Sequence, residues 1–146
     1  MASTTKEHRR AEGTAGRRVP PRAWAVLGGA LAPALIWVLA VPIWAHHLEV
    51  PDWSGAERME ITLPMVVLTG LLAGGAGWIL LALLERFTGR IRRPAAVWRV
   101  IATVVLLVSF GPPLLTAGID TATRALLVGM HVAVAAVLVP VLPRRR

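Results

Sequence analysis

His131 is the residue whose side chain could most readily do chemistry inside the apolar part of this sequence. It stands in a long apolar run, where an ionisable group is costly and is therefore a functional candidate by default. An imidazole donates and accepts hydrogen bonds, and its reference pKa of about 6.5 lets it exchange a proton near neutrality. Two interpretations follow, a structural hydrogen bond or a proton-responsive or ligand-binding site.

Three other polar side chains are expected at the same depth as His131. Ser109 precedes a Gly-Pro-Pro sequence at residues 111–113. Because proline lacks an N–H, this sequence frees backbone carbonyls, and Ser109 or one of these carbonyls is the expected hydrogen-bond partner of His131. Counting inward from the ends of the apolar runs reaches Trp37 and Thr69 at a similar level. We therefore predict a buried polar layer of His131, Ser109, Thr69 and Trp37.

The connection at residues 46–60 is the other segment that could bind a ligand. It holds two adjacent histidines, His46 and His47, among four carboxylates, and this combination can bind a divalent cation. Adjacent histidines rarely face one metal, however, so a solvated acidic loop is the favoured interpretation. The sequence has no cysteine, nucleotide-binding loop, metalloprotease helix or nucleophile elbow. These observations predict a protein with no metal site, no cofactor and no enzymatic activity.

Long uncharged runs separate the clusters of charge and determine the fold class. Of the 146 residues, 55% are hydrophobic and 16% are charged, whereas a soluble domain is about 45–50% apolar. An α-helix of about 20 apolar residues crosses the hydrocarbon core of a bilayer. Four runs meet this requirement and predict an all-α integral membrane protein, a four-transmembrane-helix bundle over residues 23–142, with spans at about residues 23–45, 61–84, 96–117 and 123–142.

Small residues at helical spacing predict where these helices pack. Gly70, Gly74 and Gly77 in the second span, and Gly129 and Ala133 in the fourth, form small faces that another backbone can approach closely. Packing within the monomer, with the fourth span as a partner surface for the second, is favoured over a homodimer face.

Basic residues flank the spans on one side. Six Lys and Arg residues lie in residues 1–22, five in residues 85–99 and three in residues 143–146, whereas the other side has only Arg58 and Arg124. Because cytoplasmic flanks carry the excess of Lys and Arg, both termini are predicted to be cytoplasmic. We expect a disordered basic tail before the first span and a basic end after the fourth, both near anionic lipid headgroups. The basic residues that give the net charge of +8 are not interleaved with aromatic stacking residues, so nucleic acid is not an expected partner.

Two segments resemble a known family. Residues 77–86, Gly-Trp-Ile-Leu-Leu-Ala-Leu-Leu-Glu-Arg, and residues 131–140, His-Val-Ala-Val-Ala-Ala-Val-Leu-Val-Pro, resemble an uncharacterised family of four-span membrane proteins, a domain of unknown function, from actinobacterial-type high-GC bacteria. The resemblance covers about residues 22–143 and implies a multi-pass protein of the bacterial cytoplasmic membrane, without an established activity. Small multidrug exporters also have four short spans, but they carry a glutamate in the first span that this sequence lacks.

Two hypotheses for function follow. The first is a non-enzymatic accessory or structural component of the bacterial cytoplasmic membrane, with a homo-oligomer or another membrane protein as its partner. The alternative is a small transporter, or a membrane protein that binds a lipid or small molecule, using the polar layer around His131. A transport site needs a water-accessible cavity at that layer, whereas an accessory protein can be packed dry.

Overall fold

The computed structural model describes residues 21–52, 54–55, 57–87 and 93–143. Nearly all of the predicted basic tail and basic end therefore lies outside the described residues. Within them, the helices are α1 (Pro21–Val38), α2 (Leu63–Arg86), α3 (Pro94–Ser109), α4 (Gly111–Leu115) and α5 (Thr121–Val141), and a short hairpin pairs β1 (Glu49–Pro51) with β2 (Arg58–Glu60).

Four helical segments are long and apolar enough to cross a membrane. They are Arg22–Ile43, Leu63–Arg86, Pro94–Leu115 and Thr121–Val141. The predicted fold class, an all-α four-helix membrane bundle, is confirmed.

Prolines account for the irregular parts of two of these spans. Pro33 lies within α1, and the α-helix continues through it, so the kink that its missing N–H predicts does not divide the helix. Pro42 lies in a π-helical turn, Leu39–Ile43, that extends α1 and closes with a bond from Trp44 N to Leu39 O of 3.1 Å. The third span ends α3 at Ser109 and restarts as α4, because the two prolines after Gly111 cannot donate to the preceding turn but suit a first helical turn.

The four long helices form a ring. Helix α1 packs along both α2 and α5, whereas α3 packs on α5 and more sparsely on α2, and α2 and α5 scarcely touch. Two apolar clusters lie inside the ring. One is at the terminal end of the bundle, where α1 begins and α2 and α5 end, and the other is at the hairpin end, which carries β1 and β2. Their buried members are Ala25, Leu81, Trp98 and Leu142 at the terminal end, and Ala40, Leu48, Val66 and Met130 at the hairpin end.

Small residues of α2 pack on α1 and not on α5, which differs from the predicted partner surface. A Cβ atom at Gly70 would lie 2.8 Å from Ala30 Cα, and one at Gly74 would lie 3.0 Å from Val26 Cγ1. Gly77 instead faces the Trp98 ring of α3, whose Cη2 would be 2.9 Å from such an atom.

The predicted role of the fourth span as the partner of these glycines is wrong. A Cβ atom at Gly129 would meet no described atom within 4 Å, so this residue does not make the close helix contact expected of it, and Ala133 is only half-buried. The sequence pattern on α1 that does receive α2 is Gly29-Ala30, which sequence analysis did not single out.

The described part of the acidic connection at residues 46–60 contains a hairpin and is not simply a solvated loop. Val50 pairs with Met59 across the antiparallel hairpin, and Leu48, just before β1, is completely buried. The Trp37 indole N–H donates to the Ile61 carbonyl at 2.7 Å, which ties α1 to the segment between the hairpin and α2. The hairpin is thereby held down on one end of the bundle.

An ion pair joins the first two spans at the terminal end. The Arg22 guanidinium donates to Glu85 Oε1 at 2.7 Å, and both side chains are mostly shielded from solvent. The pair links the start of α1 to the end of α2.

Candidate functional site

A cavity of about 660 Å³ lies between α2 and α3, with residues of α5 forming a third wall; we name it the α2–α3 chamber. Its walls are apolar side chains and small residues, among them Met65, Ala73, Ile101, Val105 and Val134. Ala73 and Val105 are exposed in the isolated chain, so the chamber opens at the apolar surface of the bundle.

The terminal end of the chamber is closed where α2 and α3 meet. Trp98, only 4% exposed, lies against Gly77 there, and Leu138 of α5 lines the same region. The absence of a side chain at Gly77 lets the indole ring reach α2 and form this floor.

The hairpin covers the opposite end of the chamber. Val50 and Met59, paired across β1 and β2, line it together with Ile61. A second cavity of about 350 Å³, which we name the vestibule, lies on the hairpin side and is lined by Asp52, Thr116 and other residues of the hairpin and the α4–α5 connection.

The two cavities meet around residues that line both of them. These shared residues are Val50, Met59, Leu127 and His131. His131 therefore stands between an apolar chamber and a more polar vestibule, a position that a sequence count of depth could not reveal.

His131 does not form the predicted hydrogen bond with span three. Its Nδ1 lies 2.7 Å from the Leu127 carbonyl oxygen of its own helix. Because a carbonyl only accepts, Nδ1 is the donor, and in the neutral ring Nε2 then carries the lone pair. Ser109 likewise bonds within its own helix, donating from Oγ to the Leu106 carbonyl at 2.7 Å. The prediction of a His131 bond to Ser109 or to a carbonyl of the proline break is wrong.

The four residues of the predicted polar layer separate into two groups. Thr69, Ser109 and His131 line the same chamber on three different helices. Trp37 does not line it, because its indole N–H is bonded to the Ile61 carbonyl. Depth counting therefore brought together three side chains that share a cavity, but not a hydrogen-bonded layer.

The two adjacent histidines of the hairpin end face different partners. His46 Nε2 lies 3.0 Å from Thr123 Oγ1, whereas His47 Nδ1 lies 2.9 Å from Glu60 Oε1. The hydrogen bond to Glu60 and the charge of that carboxylate raise the pKa of His47. Within the described ranges, no three His, Asp or Glu side chains lie together as a metal would require.

The start of α5 is fixed by Asp120. This residue caps the helix by accepting from the Thr123 backbone N–H at 3.0 Å. Hydrogen bonds from Thr123, to which the nearby His46 adds a smaller attraction, lower the pKa of the Asp120 carboxyl.

The two arginines at the hairpin end hold the connection between α4 and α5. Arg58 donates to the Gly118 carbonyl at 3.0 Å, and Arg124 donates to the Thr116 carbonyl at 3.2 Å. The sequence does not predict these bonds, because no local pattern indicates that either side chain will donate to a carbonyl of this connection.

The geometry defines a multi-pass membrane protein whose helices enclose a laterally open apolar chamber with a polar vestibule at one end. The chain belongs to a family of unknown function (DUF6069), whose family model matches residues 13–146. This confirms the expected membership of an uncharacterised family. Comparison with curated proteins and with solved structures gives no match.

Proposed function

We propose that this protein binds a lipid or a lipophilic small molecule in the α2–α3 chamber and does so without catalysing a reaction. The observation that carries the proposal is the chamber itself, because its volume of about 660 Å³ lies within the range of about 300–1,000 Å³ found for ligand sites. It also reaches His131, where the alternative functional hypothesis requires a cavity. An accessory protein packed without a cavity would have no use for this volume.

The proportions of the chamber favour a chain-like ligand over a compact one. Its lining on α5 extends from Leu127 to Val139, which corresponds to about 18 Å at the helical rise of 1.5 Å per residue. Dividing the volume by this length gives a mean cross-section of roughly 37 Å². A long, narrow, apolar space that opens towards lipid suits a hydrocarbon chain entering sideways from the bilayer.

The polar groups of the chamber support binding and not catalysis. Its polar groups are the side chains of Thr69, Ser109 and His131 and the Trp98 indole N–H, and none of the described residues that line it is Asp or Glu. A hydroxyl nucleophile needs an adjacent base that is itself oriented by a third group. The Ser109 hydroxyl is instead bonded to a backbone carbonyl, and so is the His131 ring.

A matched pair of substitutions on α2 tests the proposal. Ala73→Phe fills the chamber, whereas Ala82→Phe adds the same side chain at an exposed position that does not line it. With the protein in phosphatidylcholine nanodiscs, native mass spectrometry should find that Ala73→Phe lowers the occupancy of added octadecanol at least tenfold and that Ala82→Phe leaves it unchanged. Equal occupancy in the two variants would refute a ligand site in the chamber.

We also propose that the protein lies in a bacterial cytoplasmic membrane with both termini inside and anionic headgroups near its basic flanks. The distribution of Lys and Arg supports this orientation. The two arginines at the hairpin end are the exceptions to that distribution, and both have a structural role, because they donate to carbonyls of the α4–α5 connection. In this orientation the vestibule faces outward.

Reporter fusions test this orientation. A reporter after Arg146 or within residues 88–92 should give a cytoplasmic signal, and one within residues 52–57 an external signal. An external reporter after Arg146 would contradict an even number of crossings from a cytoplasmic start.

A further inference from the structure

We infer that the ligand of the α2–α3 chamber is an uncharged lipid with a hydroxyl head, such as a long-chain alcohol, held at the level of Thr69, Ser109 and His131. This inference rests on the proposed function, because it names the chemical class of the ligand for that same site. The charge of the lining and its hydrogen-bonding groups carry it, since each excludes a different class of head.

The chamber offers no partner to a charged head. None of its described lining residues is Asp, Glu, Lys or Arg, and the carboxylate of Asp52 lines only the vestibule. The His131 ring, with Nδ1 bonded to the Leu127 carbonyl, carries no charge in its neutral form. Moving an ion out of water without an opposite charge costs far more free energy than moving an uncharged polar group. Carboxylate, phosphate and ammonium heads are therefore disfavoured in the chamber.

The lining accepts hydrogen bonds through His131 and Ser109. Because Nδ1 of His131 donates to Leu127 O, Nε2 carries the lone pair, and no described residue bonds to it. The Ser109 hydroxyl has given its hydrogen to the Leu106 carbonyl and retains a lone pair. A head with a hydrogen to donate satisfies these acceptors, whereas an ether or ketone oxygen does not.

The lining also donates, through Thr69. The residue lines the chamber, and its hydroxyl bonds to no other described residue, so its hydrogen is available to a ligand. The Trp98 indole N–H is a second donor without a described partner, but its Nε1 atom is enclosed by protein at the floor. A head that satisfies Thr69 needs a lone pair. A hydroxyl group combines that lone pair with the hydrogen that His131 and Ser109 require.

The level of these groups leaves room for a hydrocarbon chain on the floor side of the head. Ser109 and Trp98 are the two ends of the chamber lining on α3, about 16 Å apart at the helical rise of 1.5 Å per residue. On α5, His131 and Val139 are about 12 Å apart by the same measure. The described lining residues between these levels are apolar. The chain of the ligand therefore runs from the hydroxyl towards the Trp98 floor.

Five probes with the same 18-carbon chain separate charge from hydrogen bonding. They are octadecanol, octadecyl methyl ether, octadecane, octadecyltrimethylammonium and octadecyl sulfate. Native mass spectrometry measures their occupancy on the full chain in phosphatidylcholine nanodiscs at pH 8, where a free imidazole is neutral, and empty nanodiscs correct for partitioning.

Octadecanol should bind tightest, because it alone is uncharged and both donates and accepts. The ether accepts but cannot donate, so it should bind about three- to twentyfold more weakly, the effect of one membrane-buried hydrogen bond. Octadecane should bind more weakly than the ether. Both charged probes should bind more weakly than octadecanol.

Two substitutions locate the hydrogen bonds. His131→Leu should reduce the preference for octadecanol over the ether, because it removes the Nε2 acceptor. Thr69→Val should reduce the preference for the ether over octadecane, because it removes the donor. The controls are His47→Asn and Thr103→Val, which alter a histidine and a threonine that line neither cavity. Both controls should retain the wild-type ratios, and thermal melts of all variants check folding.

The outcomes distinguish this inference from the proposed function. If the five probes bind equally to the wild type and Ala73→Phe abolishes all of them, the chamber is a ligand site but the hydroxyl assignment is overturned. The assignment is also overturned if a charged probe binds more tightly than octadecanol, or if His131→Leu and Thr69→Val leave the wild-type ratios unchanged. If Ala73→Phe changes no probe, the proposed function itself fails.

Discussion

The close approach of α1 and α2 predicts that alanine substitutions at two glycines of α2, Gly70 and Gly75, will affect stability differently. Gly70 lies under α1, where a Cβ atom would be 2.8 Å from Ala30 Cα, a backbone atom that cannot turn away. The preferred separation of such carbon atoms is about 3.5–4.0 Å. Gly75, five residues along the same helix, would meet no described atom within 4 Å.

The magnitudes follow from two terms. Replacing an interior helical glycine with alanine gains about 1 kcal/mol of helix propensity, and this gain is common to both positions. Overpacking at Gly70 costs about 1–3 kcal/mol. Gly75→Ala should therefore stabilise the protein, and Gly70→Ala should be less stable than Gly75→Ala by about 1–3 kcal/mol. Gly74→Ala should fall between them, because its nearest neighbour is the Val26 side chain at 3.0 Å, which can turn.

Unfolding of the full chain in mixed micelles, titrated with SDS and followed by tryptophan fluorescence, measures these differences. The comparison between the two alanine variants cancels the propensity term and leaves the steric one. A difference below about 0.5 kcal/mol, the usual error of additivity, would show that α1 does not press on Gly70 and that the packing described above is wrong.

Two further predictions concern charged contacts at the two ends of the bundle. Glu85→Gln should lower the free energy of unfolding by about 1–3 kcal/mol, because it removes the charged partner of a mostly buried Arg22; the exchange of the two charges in an Arg22→Glu, Glu85→Arg variant should restore part of the loss in the same SDS titration. At the hairpin end, the raised pKa of His47 means that its bond to Glu60 stabilises the fold at pH values below the usual imidazole pKa, and that this contribution is lost as the pH rises through the raised value. Melting temperatures measured across that range should show this decline in the wild type and not in Glu60→Gln, and identical pH profiles would contradict it.

The helical spans could be predicted from sequence because the bilayer imposes a simple requirement. An uninterrupted apolar run of sufficient length must be helical in lipid, so composition alone identifies the four spans. The break in the third span before Pro112 could also be predicted from sequence, because it depends only on the missing N–H of proline. The hairpin was missed because Val50 and Met59 form a short alternation in a charged segment, and nothing in that segment indicates that it covers a cavity.

The candidate site was only partly predictable for a different reason. Residue counting gives depth along a helix but not the direction of a side chain around it. It therefore placed Thr69, Ser109 and His131 at one level, and these three residues line one chamber. It also included Trp37, whose indole N–H is bonded to Ile61 outside that set. The predicted partner of His131 was wrong because its Nδ1 bonds to the carbonyl of Leu127, four residues back in the same helix, and this local bond needs no second helix.

The chamber itself follows from how α2 distributes its small residues. Gly70 and Gly74 let α1 approach until the backbones touch, so that face of α2 is closed. Ala73 and Ala76 lie on another face, towards α3, and they line the chamber because α3 makes its close contact with α2 only at Gly77, through the large Trp98 ring. A large side chain at one end holds the two helices apart, and small side chains along the rest leave the intervening volume unfilled. The small residues of α2, which the sequence presents as a helix-packing motif, therefore allow close packing against α1 and leave a cavity between α2 and α3.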